Sequence, residues 1–89
     1  MSKRLLPIGS IVTVDGAKKR LMIMGTHLNR ADDDTLYDYV GVPYPEGYLG
    51  KDIMFLFMHE DVVDVSFVGF VNAETQLFEA YYQQMMEKE

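Results

Sequence analysis

The chain contains no cysteine and no tryptophan, and it has no long run of apolar residues. Without cysteine, it has neither a disulfide framework nor a thiolate metal site. Its apolar runs fall far short of the roughly 18 residues that a membrane-spanning helix needs. The N-terminal sequence MSKRLLPIGS also lacks the apolar stretch of about 7–15 residues that is typical of a signal peptide. We therefore expect a cytoplasmic protein with no membrane insertion.

Basic residues are scarce after the first third of the chain. Residues 31–89 carry 13 acidic residues against two lysines, whereas residues 1–30 carry a formal charge of +5 and the whole chain −6. A field dominated by carboxylates repels phosphate backbones, so nucleic-acid binding is not expected. The basic cluster at 18–20 lies beside Gly16, and we interpret it as a solvated turn.

The remaining composition, 48% hydrophobic over 89 residues, suits one small domain spanning residues 1–89. Short apolar or alternating runs predict five strands, at residues 8–14, 20–25, 36–42, 53–58 and 62–70. The run at 20–25 is apolar at nearly every position, which predicts burial on both faces. Residues 26–34 are polar and predict a loop, and the prolines and glycines of residues 43–50 predict irregular structure.

The hydrophobic period changes from two to about four near the C-terminus. Asn72 is a suitable N-cap for a helix over residues 73–87, with Glu74 in its first turn. Its apolar residues recur in pairs and form one wide stripe, made by Leu77, Phe78, Tyr81, Tyr82, Met85 and Met86. The predicted fold is therefore α+β: a strongly bent, barrel-like (SH3-like) antiparallel sheet of about five strands, followed by one C-terminal helix.

No pattern for catalysis, a cofactor or a metal is found in the sequence. There is no nucleophile elbow and no phosphate-binding loop. A calcium loop starting at Asp32 would need a glycine and a glutamate where Tyr37 and Pro43 stand. The triplet His59-Glu60-Asp61 offers ligand types, but turn capping explains it more simply. We therefore predict a protein that is not an enzyme and holds no cofactor.

Two apolar features are candidates for binding a protein partner. The first is the segment of residues 37–48, whose tyrosines offer large contact areas with polar tips: Tyr37, Tyr39, Tyr44 and Tyr48. The second is the helix, where Leu77, Phe78 and Tyr81 are expected to seal the end of the barrel. The helix residues predicted to take part in partner binding are Phe78, Tyr82, Met85 and Met86.

Several segments together resemble a known family. They are PIGSIVTV at 7–14, KRLMIMG at 19–25, YDYVGVPYPEG at 37–47, HEDV at 59–62 and the VSFVGF strand that ends at residue 70. These resemble a small domain-of-unknown-function family of Gram-positive bacteria, encoded beside LXG-type toxins of the type VII secretion system. The resemblance implies an accessory, chaperone-like role: binding the helical targeting region of a toxin, or its small helical partners, before export.

Three hypotheses remain open from the sequence. The first is this targeting factor, acting through a sheet edge or the helix surface. The second is an SH3-like adaptor that binds a peptide on the tyrosine segment. The third is an enzyme of unrecognised type acting through His59, Glu60 and Asp61, which requires a pocket where His59 meets a carboxylate.

Overall fold

The computed structural model of the protein describes residues 5–29 and 34–87. Its five strands are β1 (Ile11–Val14), β2 (Leu21–Asn29), β3 (Leu36–Pro43), β4 (Phe55–Phe57) and β5 (Val62–Phe67), and its helix is α1 (Ala73–Glu87). Short 3-10 helices at Lys51–Ile53 and His59–Asp61 precede β4 and β5. The predicted order of elements, and the helix over residues 73–87, are confirmed.

The strands form one antiparallel sheet in the order β4-β3-β2-β1-β5. The predicted α+β fold with one C-terminal helix is therefore confirmed. Register shifts interrupt the β1–β5 and β2–β3 pairs, and such bulges bend a sheet locally. Within the described residues, however, the edge strands β4 and β5 do not pair with each other. The sheet is accordingly an open one rather than a closed barrel.

Three predicted strands are shorter in the structure. The strand predicted at 53–58 is limited to β4 because Lys51–Ile53 forms a 3-10 helix, and the first and last strands are shortened because backbone segments cross between them. Gly9 has a positive φ of 95° and turns the chain, so β1 begins only at Ile11. Residues 68–70 leave β5 and pass against this turn, where the Gly69 N–H donates a hydrogen bond to Ser10 Oγ. A Cβ atom at Gly69 would overlap the carbonyl oxygen of Ile8. Only glycine fits this crossing.

The second strand is longer than predicted, and the prediction of a loop over residues 26–34 is wrong for residues 26–29. Those residues are polar, yet they pair in register with β3, from Thr26 opposite Tyr39 to Asn29 opposite Leu36. Residues 30–33 of the predicted loop lie outside the described residues. Strand β2 is also not buried on both faces, because Met24 is exposed.

The hydrophobic core lies against β1, β2 and β3, around the fully buried side chain of Tyr39. Its buried members are Leu5, Val12, Val14, Leu21, Ile23, Tyr39 and Phe57, with Leu6 and Val62 packed at its edge. The Tyr39 and Phe57 rings are 5.3 Å apart between centroids. Neither α1 nor the exposed part of β5 supplies a side chain to this cluster.

Candidate interaction surface

Helix α1 starts at a reciprocal cap. The side-chain oxygen Oδ1 of Asn72 accepts the backbone N–H of Thr75 at 3.1 Å, and the Asn72 N–H donates to Thr75 Oγ1 at 3.3 Å. These bonds satisfy polar groups that a helix start leaves without intrahelical partners. The predicted N-cap is confirmed, and it fixes the residue at which α1 begins.

The helix contacts the sheet through an aromatic stack. The rings of Tyr82 and His27 lie 3.8 Å apart and are almost parallel, at 7°. Phe78 meets both rings edge-on, at 4.8 Å from Tyr82 and 6.5 Å from His27. The half-buried helix residues recur at the spacing of one helix face: Thr75, Glu79, Tyr82 and Gln83. We call this the docking face.

Partial burial perturbs His27 itself. Desolvation lowers the pKa of His27 below its usual value of 6.5, while the negative charges of Asp38 on β3 and Glu79 on α1 oppose that shift. His27 also has a positive φ of 56°, which is uncommon for a residue other than glycine. Because desolvation disfavours the charged imidazolium, the neutral ring is the form that the docked helix favours.

Apart from Tyr82, the large apolar residues of the helix whose side chains the structure describes are exposed, and Phe78 lies at the border of this contact. Leu77 is 72% exposed and Tyr81 60%, and Phe78 and Met85 are exposed as well. At about 100° per residue, Leu77, Phe78, Tyr81 and Met85 cover about 100° of the helix circumference, outside the sector of the docking face. We call these four residues the exposed stripe.

The expectation that Leu77, Phe78 and Tyr81 seal the end of a barrel is therefore wrong. The sheet is open, Leu77 and Tyr81 are largely exposed, and the main contact of the helix is the Tyr82 ring stacked on His27, with Phe78 edge-on beside it. Of the predicted partner-binding residues of the helix, Phe78 and Met85 are exposed, while Tyr82 is half-buried. Met86 belongs to α1, but its side chain lies outside what the structure describes.

Strand β5 is the second apolar surface. It lies at the edge of the sheet, and Val63, Val65 and Phe67 are all exposed. The exposure continues in the segment that follows, where Phe70 is 78% exposed and Val71 is also accessible. Two register shifts against β1 interrupt the strict alternation expected along this strand. Besides its backbone pairing with β1, β5 is linked to the β1–β2 hairpin by a side-chain hydrogen bond, with Arg20 Nε–H donating to Ser66 Oγ at 3.1 Å.

The structure separates the four tyrosines that were predicted to form one binding segment. Tyr39 is fully buried in the core, so its assignment to a partner-binding surface is corrected. Tyr37 lines an open groove of about 470 Å³ beside β4, together with Leu28, Asn29, Lys51, Met54, Phe55 and Leu56. Tyr44 and Tyr48 are exposed on the irregular segment that follows β3.

His59 takes part in a structural network around the buried tyrosine. Its Nδ1 lies 2.6 Å from the Tyr39 hydroxyl, which also accepts the Leu6 N–H at 2.9 Å. Which of the two groups donates in this short hydrogen bond follows from the tautomer of the His59 ring. The backbone N–H of His59 donates to Asp38 Oδ2 at 2.8 Å. His59 thus links the buried Tyr39 hydroxyl to the turn before β5.

Asp61, two residues after His59, has a local structural role. Asp61 Oδ2 accepts the Met58 N–H at 3.0 Å and so caps the short helix His59–Asp61. Within residues 5–29 and 34–87, no group of three or more His, Cys, Asp or Glu side chains is arranged to hold a metal ion. In the same part of the chain, no helix is long and apolar enough to cross a membrane.

Sequence reasoning missed His27 as the contact for the helix and missed the edge position of β5. The aromatic pair Phe78 and Tyr82, one helical turn apart, was the available signal for a ring partner. Nothing in the local sequence of β5 distinguishes an edge strand from a central one, because strand order depends on the whole topology.

The fold and the surface define a small α+β domain with an open antiparallel sheet and an outward-facing apolar helix stripe. The chain belongs to the family described as Domain of unknown function (DUF4176), whose model matches residues 5–78. That match includes Leu77 and Phe78 and ends before Tyr81 and Met85. No curated protein and no solved structure shows a significant match to the chain.

Proposed function

We propose that this protein is a non-enzymatic accessory protein that binds a helical segment of another protein along the exposed stripe. The observation that carries the proposal is the exposure of the stripe: Leu77, Tyr81 and Met85 lie outside the contact with the sheet, and Phe78 stays about half exposed at its border. Contiguous exposed apolar surface is a feature of interaction sites, because it is costly to keep in water. An amphipathic helix against an apolar surface is a common way to cover it.

The way in which α1 is held supports this role. The docking face holds the helix mainly through Tyr82, stacked on His27, with the Phe78 ring edge-on to that stack, and it leaves Leu77, Tyr81 and Met85 exposed. A helix that served only to cover the sheet would turn its most apolar sector inward. Here the inward sector contains Thr75, Glu79 and Gln83. The arrangement suits a helix that is displayed to a partner.

For the partner, we propose the helical targeting region of an LXG-type toxin or its small helical partner proteins. The support is the resemblance of segments such as YDYVGVPYPEG, at 37–47, to the family encoded beside such toxins. In this proposal the protein acts in the cytoplasm as a chaperone-like targeting factor, before type VII secretion of the toxin. Its contribution is to cover apolar helix surface on the toxin until export.

The direct test is co-expression with the N-terminal region of a toxin encoded beside this protein, followed by size-exclusion chromatography with light scattering. We expect a co-eluting complex of defined mass. The double variant Leu77→Ser/Tyr81→Ser is expected to lose it while keeping its fold, since both side chains are largely exposed. Tyr48→Ser, which removes an equally exposed tyrosine far along the chain from the stripe, is the matched control.

Co-elution that survives the double variant would place the contact elsewhere and contradict the stripe as its site. Absence of a complex at tens of micromolar, with both proteins folded, would contradict the toxin as partner. Circular dichroism of each variant checks that the helix is retained. The two results separate an error in the surface from an error in the partner.

A second candidate function is peptide binding in the groove beside β4. The observation that favours it is the position of Tyr37 and Phe55 in a groove along an edge strand, where an extended peptide could add to the sheet. Tyr44 and Tyr48 are exposed on the segment that leads toward this edge. Tyr37→Ala should weaken such binding, and it should leave a complex at the exposed stripe unchanged.

A further inference from the structure

We propose that the helix accepted by the exposed stripe is basic, with an apolar face flanked by lysine or arginine. This inference rests on the proposed function and names the chemistry of the partner. The stripe runs from Leu77 to Met85, eight residues along α1, which is about 12 Å at 1.5 Å per residue. A partner helix therefore matches it with about two turns of apolar side chains.

The charge of α1 is of one sign. Residues 73–87 contain Glu74, Glu79 and Glu87 and no lysine, arginine or histidine. Glu74 lies in the first turn, in the same angular sector as the exposed stripe, and therefore borders its N-terminal end. A partner helix that crosses this end meets the carboxylate of Glu74, and α1 supplies no cation that would neutralise it.

The positive charges of the described residues lie elsewhere. Lys19 pairs with Glu46, with Nζ 3.2 Å from a carboxylate oxygen, and Arg20 is bound to Ser66 on β5. Lys51 lines the groove beside β4. The sequence from residue 31 to residue 89 has a formal charge of −11. The net negative charge of the chain and the carboxylates of α1 favour a basic helix over an acidic one and raise its association rate.

The same charges disfavour a second copy of this chain as the occupant. Each copy carries a formal charge of −6, so stripe-to-stripe association brings two acidic surfaces together. The carboxylates of α1 also discriminate between partner helices, because an acidic partner helix of equal hydrophobicity is repelled by them. The stripe supplies the apolar contact, and the carboxylates select which helix makes it.

The experiment uses the full chain and three labelled synthetic helices of about 18 residues, or five turns, in fluorescence anisotropy. All three carry the same leucine face, and their remaining positions are lysine-rich, glutamine-rich or glutamate-rich. We expect the lysine-rich helix to bind at least about tenfold more tightly than the glutamate-rich one, a difference that corresponds to about 1.4 kcal/mol. Raising the salt from about 50 to about 300 mM should shrink that ratio.

Variants assign the effect to the stripe. Leu77→Ser/Tyr81→Ser should weaken the lysine-rich helix at least about tenfold, while Tyr48→Ser should leave it unchanged. Glu74→Gln should weaken the lysine-rich helix and strengthen the glutamate-rich one. If the lysine-rich helix binds the double variant as tightly as the native chain, its attraction is non-specific and the inference is overturned.

The remaining outcomes separate this inference from the proposed function. If all three helices bind equally, and the double variant abolishes binding of each, the stripe accepts helices but does not select basic ones. If none binds, both proposals fail for helices of this kind. If light scattering shows a dimer that the double variant dissociates, a second copy occupies the stripe and the basic partner is overturned.

Discussion

The part of the sheet around Tyr39 and the region formed by β5 and α1 differ in how they treat apolar side chains. The first buries them: Tyr39 and Ile23 are inaccessible, and Phe57 nearly so. The second exposes them, with Phe70 and Leu77 as its most accessible members. Both regions are rich in valine, phenylalanine and tyrosine, so composition does not produce the contrast. The contrast follows from the position of each side chain in the fold.

The comparison shows that this short chain uses some of its apolar residues to form the core and leaves others exposed on its surface. One compact cluster around Tyr39 supplies the core, and the helix is tied to strand β2 of the sheet through His27. A small domain buries a limited fraction of its surface in any case. Further apolar residues on β5 and α1 therefore stay at the surface, where they add little to stability and remain free for another molecule.

The largest expected effect comes from truncating the centre of the core. Tyr39→Ala removes a fully buried ring and its bonds to His59 and Leu6, which should destabilise the protein by about 3–5 kcal/mol. Tyr81→Ala removes an equal side chain from the exposed stripe and should stay within about 0.5 kcal/mol. Urea denaturation followed by circular dichroism measures both. Equal losses for the two variants would erase the contrast between the regions.

The next largest effect is expected where the two regions touch. Gly69→Ala places a Cβ atom against the backbone of Ile8, and backbone is not free to move as a flexible side chain is. Overpacking of this kind costs about 1–3 kcal/mol. The matched control is Val68→Ala, which shortens an exposed neighbour and should change the free energy of unfolding little. A neutral Gly69→Ala in urea denaturation would show that the crossing is loose.

The local signals of the sequence predicted most of the fold. Asn72 as N-cap and the helix over 73–87 could be predicted because capping and helical period act within a few residues. The strands followed from apolar runs, but their ends at Ile11 and Phe67 did not. Those ends depend on Gly69 meeting Ile8, which lies about sixty residues away in the chain. Contacts between distant segments leave no local pattern.

The candidate site was predictable in part for the same reason. The stripe of the helix is visible as a periodic pattern, but its direction depends on the stack of Tyr82 on His27. The tyrosines of the segment 37–48 do not form one group, because β3 is buried from Tyr39 to Pro43 while Tyr37, nearer the start of the strand, is only half-buried. Whether the apolar face of a helix points toward the core depends on the tertiary contacts of the helix and not on the sequence of that face.

A smaller effect is expected at the start of α1. Asn72→Ala removes the oxygen that accepts the Thr75 N–H, and loss of such a cap typically costs about 1 kcal/mol. Because α1 lies outside the core cluster, the loss should appear as faster hydrogen exchange in the first turn of the helix, with β1 to β3 unaffected. Asn72→Asp, which keeps an acceptor, is the control. Uniform loss of protection across the sheet would instead mean that helix and core unfold together.

The smallest effect is a pH dependence of helix docking through His27. Its pKa is lower when α1 is docked than the usual 6.5, because the stack partly desolvates the ring. Between these two pKa values the undocked state binds more protons, so docking weakens as the pH falls below about 6.5 and through the lowered value. Asp38 and Glu79 face the ring and limit the effect. NMR titration of the His27 ring protons measures it directly.

The control for that titration removes the stacked ring. Tyr82→Ala returns His27 to solvent, so its pKa should rise toward 6.5, and the exchange of α1 amides should lose its dependence on pH. His27→Gln should remove the pH dependence as well, while keeping a planar polar group beneath the helix. A native His27 pKa above 6.5 would show that attraction to Asp38 and Glu79 outweighs desolvation. In that case the helix would dock more tightly at acidic pH, because the charged imidazolium is attracted to Asp38 and Glu79.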